Sequence, residues 1–299
     1  MKINSDNALT LAKPMSGLGN RSGYSLHNVV TSTLKYFSLV FGCVVVLLPL
    51  VVIFLAAFKT EQEFYNTPVF SLPSNFLNFQ NFTEAFEGGL MLQGFGNTAV
   101  ILIFSCAGTI LIGTMTAYVL SRFSFRFNAV VSGLFLLAAL IPGVSTQVAT
   151  FQIVSFLGLF NKIGSNIILN LGTDVISVYI FLQFLNGIPR ELDEAALIDG
   201  ASFLDVYWRI ILPLLMPAIA TVLIIKGVAI YNDFYTPFLY MPGKGLGTIS
   251  TSLFRFIGPF NAHWQVICAG VVITIIPTLL IFLFLQKYIY NGLTQGAVK

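Results

Sequence analysis

Charge is scarce in this chain: Asp, Glu, Lys and Arg supply 9% of its 299 residues, against about 25% in a soluble globular domain. So few charges cannot cover a water-soluble body of this length. No run of basic residues occurs, which argues against a DNA or RNA surface. The three cysteines, Cys43, Cys106 and Cys268, lie inside apolar runs. None has metal-ligand spacing or sits in a loop suited to a disulfide, so they read as small buried hydrophobes. Histidine is limited to His27 and His263. These form no H-E-x-x-H pair, and His263, beside Trp264, reads as an interfacial aromatic. The first 34 residues are polar and lack the short apolar core and cleavage site of a signal peptide. Tyr36–Phe58 therefore reads as a retained first span.

What the chain has in quantity is hydrocarbon. It is 56% hydrophobic with 29 Phe, and its mean hydropathy is +0.86, the composition of a protein whose solvent is lipid. About 20 apolar residues cross a bilayer as a helix. Six segments qualify, at about 36–58, 96–120, 128–150, 166–186, 213–232 and 264–286. The fourth carries Asn170 and Asp174, and the fifth carries Lys226. The expected organisation is a cytoplasmic tail, 1–35, and a transmembrane domain, 36–299, with a charged loop at 187–212 and a tail at 287–299.

Basic residues in short connections set orientation. With the N-terminus inside, the cytoplasmic side holds Lys2, Lys13, Arg21, Lys35, Arg122, Arg126, Arg190, Arg209, Lys287 and Lys299. The outside holds Lys59, Lys162, Lys244 and Arg255. Ten against four puts both termini inside, and the net charge of +3 fits that bias better than it fits a nucleic-acid surface. The larger outside segments are 59–95 and 233–263. Asn81-Phe82-Thr83 in the first matches the N-glycosylation tripeptide, a pattern common by chance. No internal repeat stands out.

One segment breaks the rule of scarce charge: "PRELDEAALIDGASFLDVYWRIILP", Pro189–Pro213. Pro189 suits a first helical position. Glu191, Asp193 and Glu194 follow where the helix dipole favours negative charge. Ala195, Ala196 and Leu197 propagate a helix, and Gly200 is placed to end it in a left-handed turn. Ser202 and Asp205 approximate a capping box that starts a second helix, with Arg209 towards its far end. Pro213 and Pro217 mark re-entry into the membrane. The pattern predicts two short helices joined at a glycine on the cytoplasmic surface. The small residues Ala195, Ala196, Gly200 and Ala201 favour a docked surface over an ordinary solvated loop, because they permit close approach.

"EAALIDGASFLDVYWRIILP" resembles the EAA motif of ABC importer permeases, carried here by Glu194, Ala195, Ala196, Gly200, Ile210, Leu212 and Pro213. "AYVLSRFSFRFN", Ala117–Asn128, resembles the connection after the second span in sugar permeases of the maltose type. "YNDFYTPFL", Tyr231–Leu239, is similar to the end of their fifth span, with Tyr231 in place of the usual Trp. "IPTLLIFLFLQKYIYNGLTQGAVK", Ile276–Lys299, resembles their last span and tail. The resemblance implies an all-α ABC type I importer permease with six transmembrane helices and a cytoplasmic coupling helix, the smaller partner of a heterodimeric permease in a bacterial plasma membrane. It implies that Glu194, Ala195, Ala196, Asp199, Gly200, Ile210, Leu212 and Pro213 dock on an ATPase, with Glu194 pairing to a basic group there.

By the same resemblance the partners are a second permease subunit, two copies of a cytoplasmic ABC ATPase holding ATP and Mg, an extracytoplasmic solute-binding protein, and lipid. No cofactor and no nucleic acid are expected on this chain. "GKGLG", Gly243–Gly247, lacks phosphate-loop spacing. By the resemblance the carried solute is expected to be a carbohydrate, an oligosaccharide. A peptide or anion permease is the alternative, and an intramembrane enzyme a remote one, because the acids are too few and too scattered for a catalytic set. Polar groups inside spans are the default candidates for a solute path: Asn97, Gln147, Asn170, Asp174, Asn232 and Asp233, with Tyr231 and Trp264 as ring-stacking surfaces. Helix capping or subunit contact is the competing reading for each. For Lys226 a structural ion pair or outward snorkelling is favoured over a wet cavity near Asp233.

Overall fold

A computed structural model describes residues 26–171, 174–258 and 262–297, and leaves the side chains of 26–29, 285 and 287–297 aside. Lys2, Lys13, Arg21, Lys299 and most of the 1–35 tail lie outside the described residues, as does the side chain of Lys287. In chain order the helices are α1 Leu26–Ala57, α2 Glu61–Asn66, α3 Gln80–Gly88, α4 Met91–Arg122, α5 Asn128–Leu140, α6 Gln147–Phe156 and α7 Ile163–Leu171. There follow α8 Val175–Asn186, α9 Glu191–Ile198, α10 Phe203–Val206, α11 Leu212–Leu214, α12 Met216–Asn232, α13 Tyr235–Tyr240, α14 Ile249–Ser252 and α15 Trp264–Ala297. A π-helical segment, Tyr207–Ile211, joins α10 to α11. Among the described residues β-pairing is confined to one isolated bridge, Ile257–Ala262.

The chain divides into two units, residues 1–51 and 52–299. The described part of the first is α1 up to Val51, its side chains largely exposed Val, Leu and Phe. In the second unit α4 packs against α3, α7, α8, α12 and α14. Its buried positions, among them Gly94, Thr98, Ile101, Ser105, Thr109, Gly113, Ala117 and Ser121, recur every three or four residues. Most are small or carry a hydroxyl. Lipid offers no hydrophobic drive between helices, so close backbone approach and van der Waals packing hold them together. At Gly113 an added Cβ would lie 3.0 Å from the Phe181 ring of α8.

Three helices are long and apolar enough to cross a membrane unbroken: Val30–Ala57, Met91–Arg122 and Trp264–Phe284. Up to six spans result if each of three bent helix pairs counts as one. The segment expected as one span at 128–150 is bent: Asn128–Leu140 and Gly143–Phe156 meet at 94°. Pro142 is the cause. It removes a backbone donor and pushes Ile141 into extended conformation, φ −79° and ψ 118°. A bend of 69° separates Phe203–Leu214 from Met216–Asn232, between Pro213 and Pro217. The two terminal helices outrun their spans. α1 takes in residues 26–35 and α15 residues 287–297, because a helix stops at a cap or breaker rather than where hydropathy falls.

The cores of the second unit are stacked along α4. Near its Arg122 end, Ala117 and Tyr118 pack with Phe181 and Leu185 of α8, Val206, Tyr207 and Ile211, and Ala218, Ile219 and Val222 of α12. Near its Met91 end, one cluster joins Ala57, Phe58, Ala85, Ile249, Val266 and Ala269. A further cluster joins Ile101, Cys106, Val154, Ile230, Tyr240 and Met241. Asn81 is not a free glycosylation acceptor. Its buried side-chain amide donates to the carbonyls of Ala57, 2.9 Å, and Lys59, 2.8 Å, capping the end of α1. The Lys59 ammonium is buried and donates to Thr67 Oγ1 at 3.2 Å, the Pro68 carbonyl at 3.0 Å and Ser71 Oγ at 2.9 Å.

Candidate functional site

The charged loop folds as two short helices about a glycine. Arg190 caps α9, so Pro189 precedes the helix rather than opening it, and Glu191, Asp193 and Glu194 occupy the first turn. Gly200 has φ +86°. Its N–H donates to the Leu197 carbonyl at 3.1 Å and that of Ala201 to Ala196 at 3.0 Å, the paired bonds of a Schellman C-cap. The capping box is present: the Asp205 N–H donates to Ser202 Oγ at 3.2 Å and the Ser202 N–H to Asp205 Oδ2 at 3.2 Å. The Ser202 hydroxyl, then its backbone N–H, hold the Asp205 carboxyl below the usual range. A lowered carboxyl pKa supports the folded form above the ordinary Asp range, and that support fades as pH falls through the lowered value. Arg209 and Asp205 stand 3.6 Å apart on an exposed face, a pairing worth little.

Polar contacts to α4 fix this loop to the rest of the chain. Arg122, the last residue of α4, brings Nε to 2.6 Å from Asp193 Oδ2, with side chains 7% and 11% exposed. The approach is close but not aligned as a hydrogen bond, so it is an ion pair. Arg122 also donates to the Ile188 carbonyl at 3.0 Å, and Arg190 donates to the Ser121 carbonyl at 2.6 Å. On the other side Tyr207 Oη and Thr114 Oγ1 are 2.8 Å apart in the core. None of Arg122, Arg190, Asp193 and Tyr207 belongs to the docking set read from the motif. Asp193, beside Glu194, is the buried acid, while Glu194 is exposed.

The exposed face of the loop carries Glu191, Glu194, Ala195, Asp199 and Gly200, with Ile198 86%, Leu204 62% and Phe203 54% exposed around them. The small-residue patch expected to face outward as a whole is divided. Ala196 and Ala201 pack on the protein's own core, while Ala195 and Gly200 remain outside. Ile210 and Leu212 are half-buried and Pro213 is exposed, whereas the intervening Ile211 is fully buried.

The candidate solute-path residues do not converge on one point. Asn97 donates to the carbonyls of Gly245, 3.0 Å, and Gly247, 2.9 Å, tying α4 to the segment before α14. Gln147 donates to Tyr240 Oη at 2.8 Å. Asn170 donates to Asn166 Oδ1 one turn earlier, at 2.6 Å. Asp174 caps α8 through the Ser177 N–H, 3.3 Å, and Ser177 Oγ, 2.6 Å. It also lies 3.2 Å from Lys226 Nζ, so Lys226 is in an ion pair with Asp174. Asp233 accepts from the Thr236 N–H at 3.1 Å, and Trp264, half exposed, opens α15. Tyr231 and Asn232 share a groove of about 510 Å³ also lined by Thr274, Thr278, Leu253 and Phe282. The Tyr231 hydroxyl donates to the Thr274 carbonyl there at 2.8 Å.

The family described as "Binding-protein-dependent transport system inner membrane component" matches residues 109–295, which take in the whole charged loop. The chain belongs to this family. It is a permease, a membrane component of an importer and not an enzyme. It is 32% identical, over 89% of its length and 97% of the relative's, to the probable starch degradation products transport system permease protein AmyC of Thermoanaerobacterium thermosulfurigenes. It is 30% identical to the melibiose/raffinose/stachyose import permease protein MelC of Bacillus subtilis, over 84% of this permease and 91% of that one. Its fold matches a chain of a bacterial ABC transporter involved in the import of the acidic polysaccharide alginate, with TM-score 0.80 and 20% identity, covering 89% of the permease and 99% of that chain.

Proposed function

We propose that this permease forms half of the translocation path of an oligosaccharide importer, driven by separate ATPase subunits that press on residues 187–212. The observation that carries the carbohydrate reading is the company it keeps over nearly its full length: relatives named for starch products and for melibiose, raffinose and stachyose. The partners are then a second permease subunit, two ATPases holding ATP and Mg, and an extracytoplasmic solute-binding protein, with both termini in the cytoplasm. A structure similar in fold, at TM-score 0.60 and 20% identity, contains a periplasmic protein bound to alginate pentasaccharide. Docking on the ATPase is assigned to the exposed residues Glu194, Ala195, Asp199 and Gly200. Ala196, Ile210, Leu212 and Pro213 give that surface its shape. On the solute side, Tyr231 and Asn232 are the best placed of the candidates, because they line an open groove that offers both a ring face and an amide.

The test is uptake by cells with and without this chain. Loss of the permease is expected to abolish uptake of a labelled oligosaccharide and leave labelled oligopeptide and phosphate uptake unchanged. Loss of peptide or phosphate uptake, with sugars unaffected, would overturn the carbohydrate reading.

A further inference from the structure

Two arms meet at the charged loop. α8 runs into it at Asn186, and α12 leaves it beyond the bend at Leu215. Close to the loop the arms share one apolar core, Phe181 and Leu185 against Ile211, Leu215, Ala218, Ile219 and Val222. Farther along α12, Ile230 belongs to a different cluster with Ile101, Cys106 and Val154. The ion pair Asp174–Lys226 lies between these two levels, with side chains 16% and 17% exposed.

Each partner is held by its own helix. Asp174 is the N-cap of α8, and two bonds from Ser177 fix its carboxylate to the first turn. Lys226 stands roughly 15 Å along α12 from Met216 at 1.5 Å per residue, about half of a ~30 Å hydrocarbon layer. At that depth a charge is costly and persists when paired, and it marks function by default. Apolar residues of similar volume would hold the helices together as well, but an ion pair also fixes register. Engaged with each other, the two groups are not free to bind solute.

We propose that Asp174 and Lys226 are positioning residues, a clasp that closes the far end of the α8–loop–α12 hairpin so that both arms move as a single lever. With the apolar core at one end and the clasp at the other, a push on α9 displaces α8 and α12 together rather than splaying them. This rests on the reading of 187–212 as the ATPase-docking loop.

The test uses the assembled transporter with the three native cysteines replaced by alanine. Spin labels are placed at Ile176→Cys and Leu223→Cys, exposed positions on α8 and α12. Distances are measured without nucleotide and after trapping with ATP and vanadate. The parent is expected to give one interlabel distance, unchanged on trapping, and Lys226→Arg the same. Asp174→Asn with Lys226→Met keeps a capping side chain and leaves no unpaired charge. It is expected to remain assembled, to show a second, longer distance after trapping, and to lose uptake of labelled oligosaccharide. A single unchanged distance with normal uptake in that double variant would overturn the clasp. Glu194→Lys tests the docking reading separately. It is expected to release the ATPase while keeping the single distance, and ATPase retention there would count against docking and not against the clasp.

Discussion

Asp193→Ala is expected to destabilise the permease by about 3–5 kcal/mol, because it leaves the Arg122 guanidinium buried without its carboxylate. With both side chains at or below 11% exposed, little solvent screening offsets that cost. In detergent the melting temperature should fall by on the order of 10 °C, read by fluorescence-detected size exclusion. The double variant Arg122→Met with Asp193→Leu should cost less than Asp193→Ala alone, since no unpaired charge remains. Its uptake should nonetheless stay low. Arg122 also holds the Ile188 carbonyl at 3.0 Å, so α9 would lose its fixed position on α4 even in a stable protein. Equal losses of stability in the single and double variants would show that the pair carries no buried-charge penalty.

The second large effect is expected at Gly200. Its φ of +86° lies where an L side chain is strained, although nothing stands within 4 Å of a Cβ added there. Gly200→Val therefore acts through the backbone alone, at about 1–3 kcal/mol. To relieve that strain the chain must give up the C-cap bonds from Gly200 and Ala201 that set the angle between α9 and α10. Uptake is expected to fall on the order of tenfold or more, with the protein still in the membrane, because each 1.4 kcal/mol is about tenfold in an equilibrium. Gly200→Asn should be far milder, since Asn visits the left-handed region routinely. Equal transport by the valine and asparagine variants would remove the turn from the account.

What could be read from the residues alone was what is decided locally. The acids of the first turn of α9, the left-handed Gly200 and the Ser202–Asp205 box each depend on neighbours within four positions, and each is found in the fold. Pro142 was equally present in the sequence, but the apolar run on both sides hid it, and the 94° bend follows from its ring and missing donor. Arg122 was read for its side of the membrane and not for a partner, because Asp193 reaches it only after α8 has packed on α4. Lys226 was half legible: an ion pair or snorkelling was the expectation, but the residues alone name no partner, and Asp174 comes within reach only through the fold. Asn97 shows the opposite failure. An amide inside a span marks a group that must be satisfied, and here the partners are the carbonyls of Gly245 and Gly247.

Ile198 offers the most direct measurement of the central claim. It is 86% exposed on the outer face of α9. A photoreactive amino acid placed there, in the transporter assembled in its own membrane, is expected to cross-link to the ATPase subunit. An adduct with the ATPase that disappears in Glu194→Lys is the predicted result. Cross-linking to lipid or to a permease subunit, with the ATPase present and unmodified, would contradict the assignment of this loop as the place where ATP hydrolysis moves the permease.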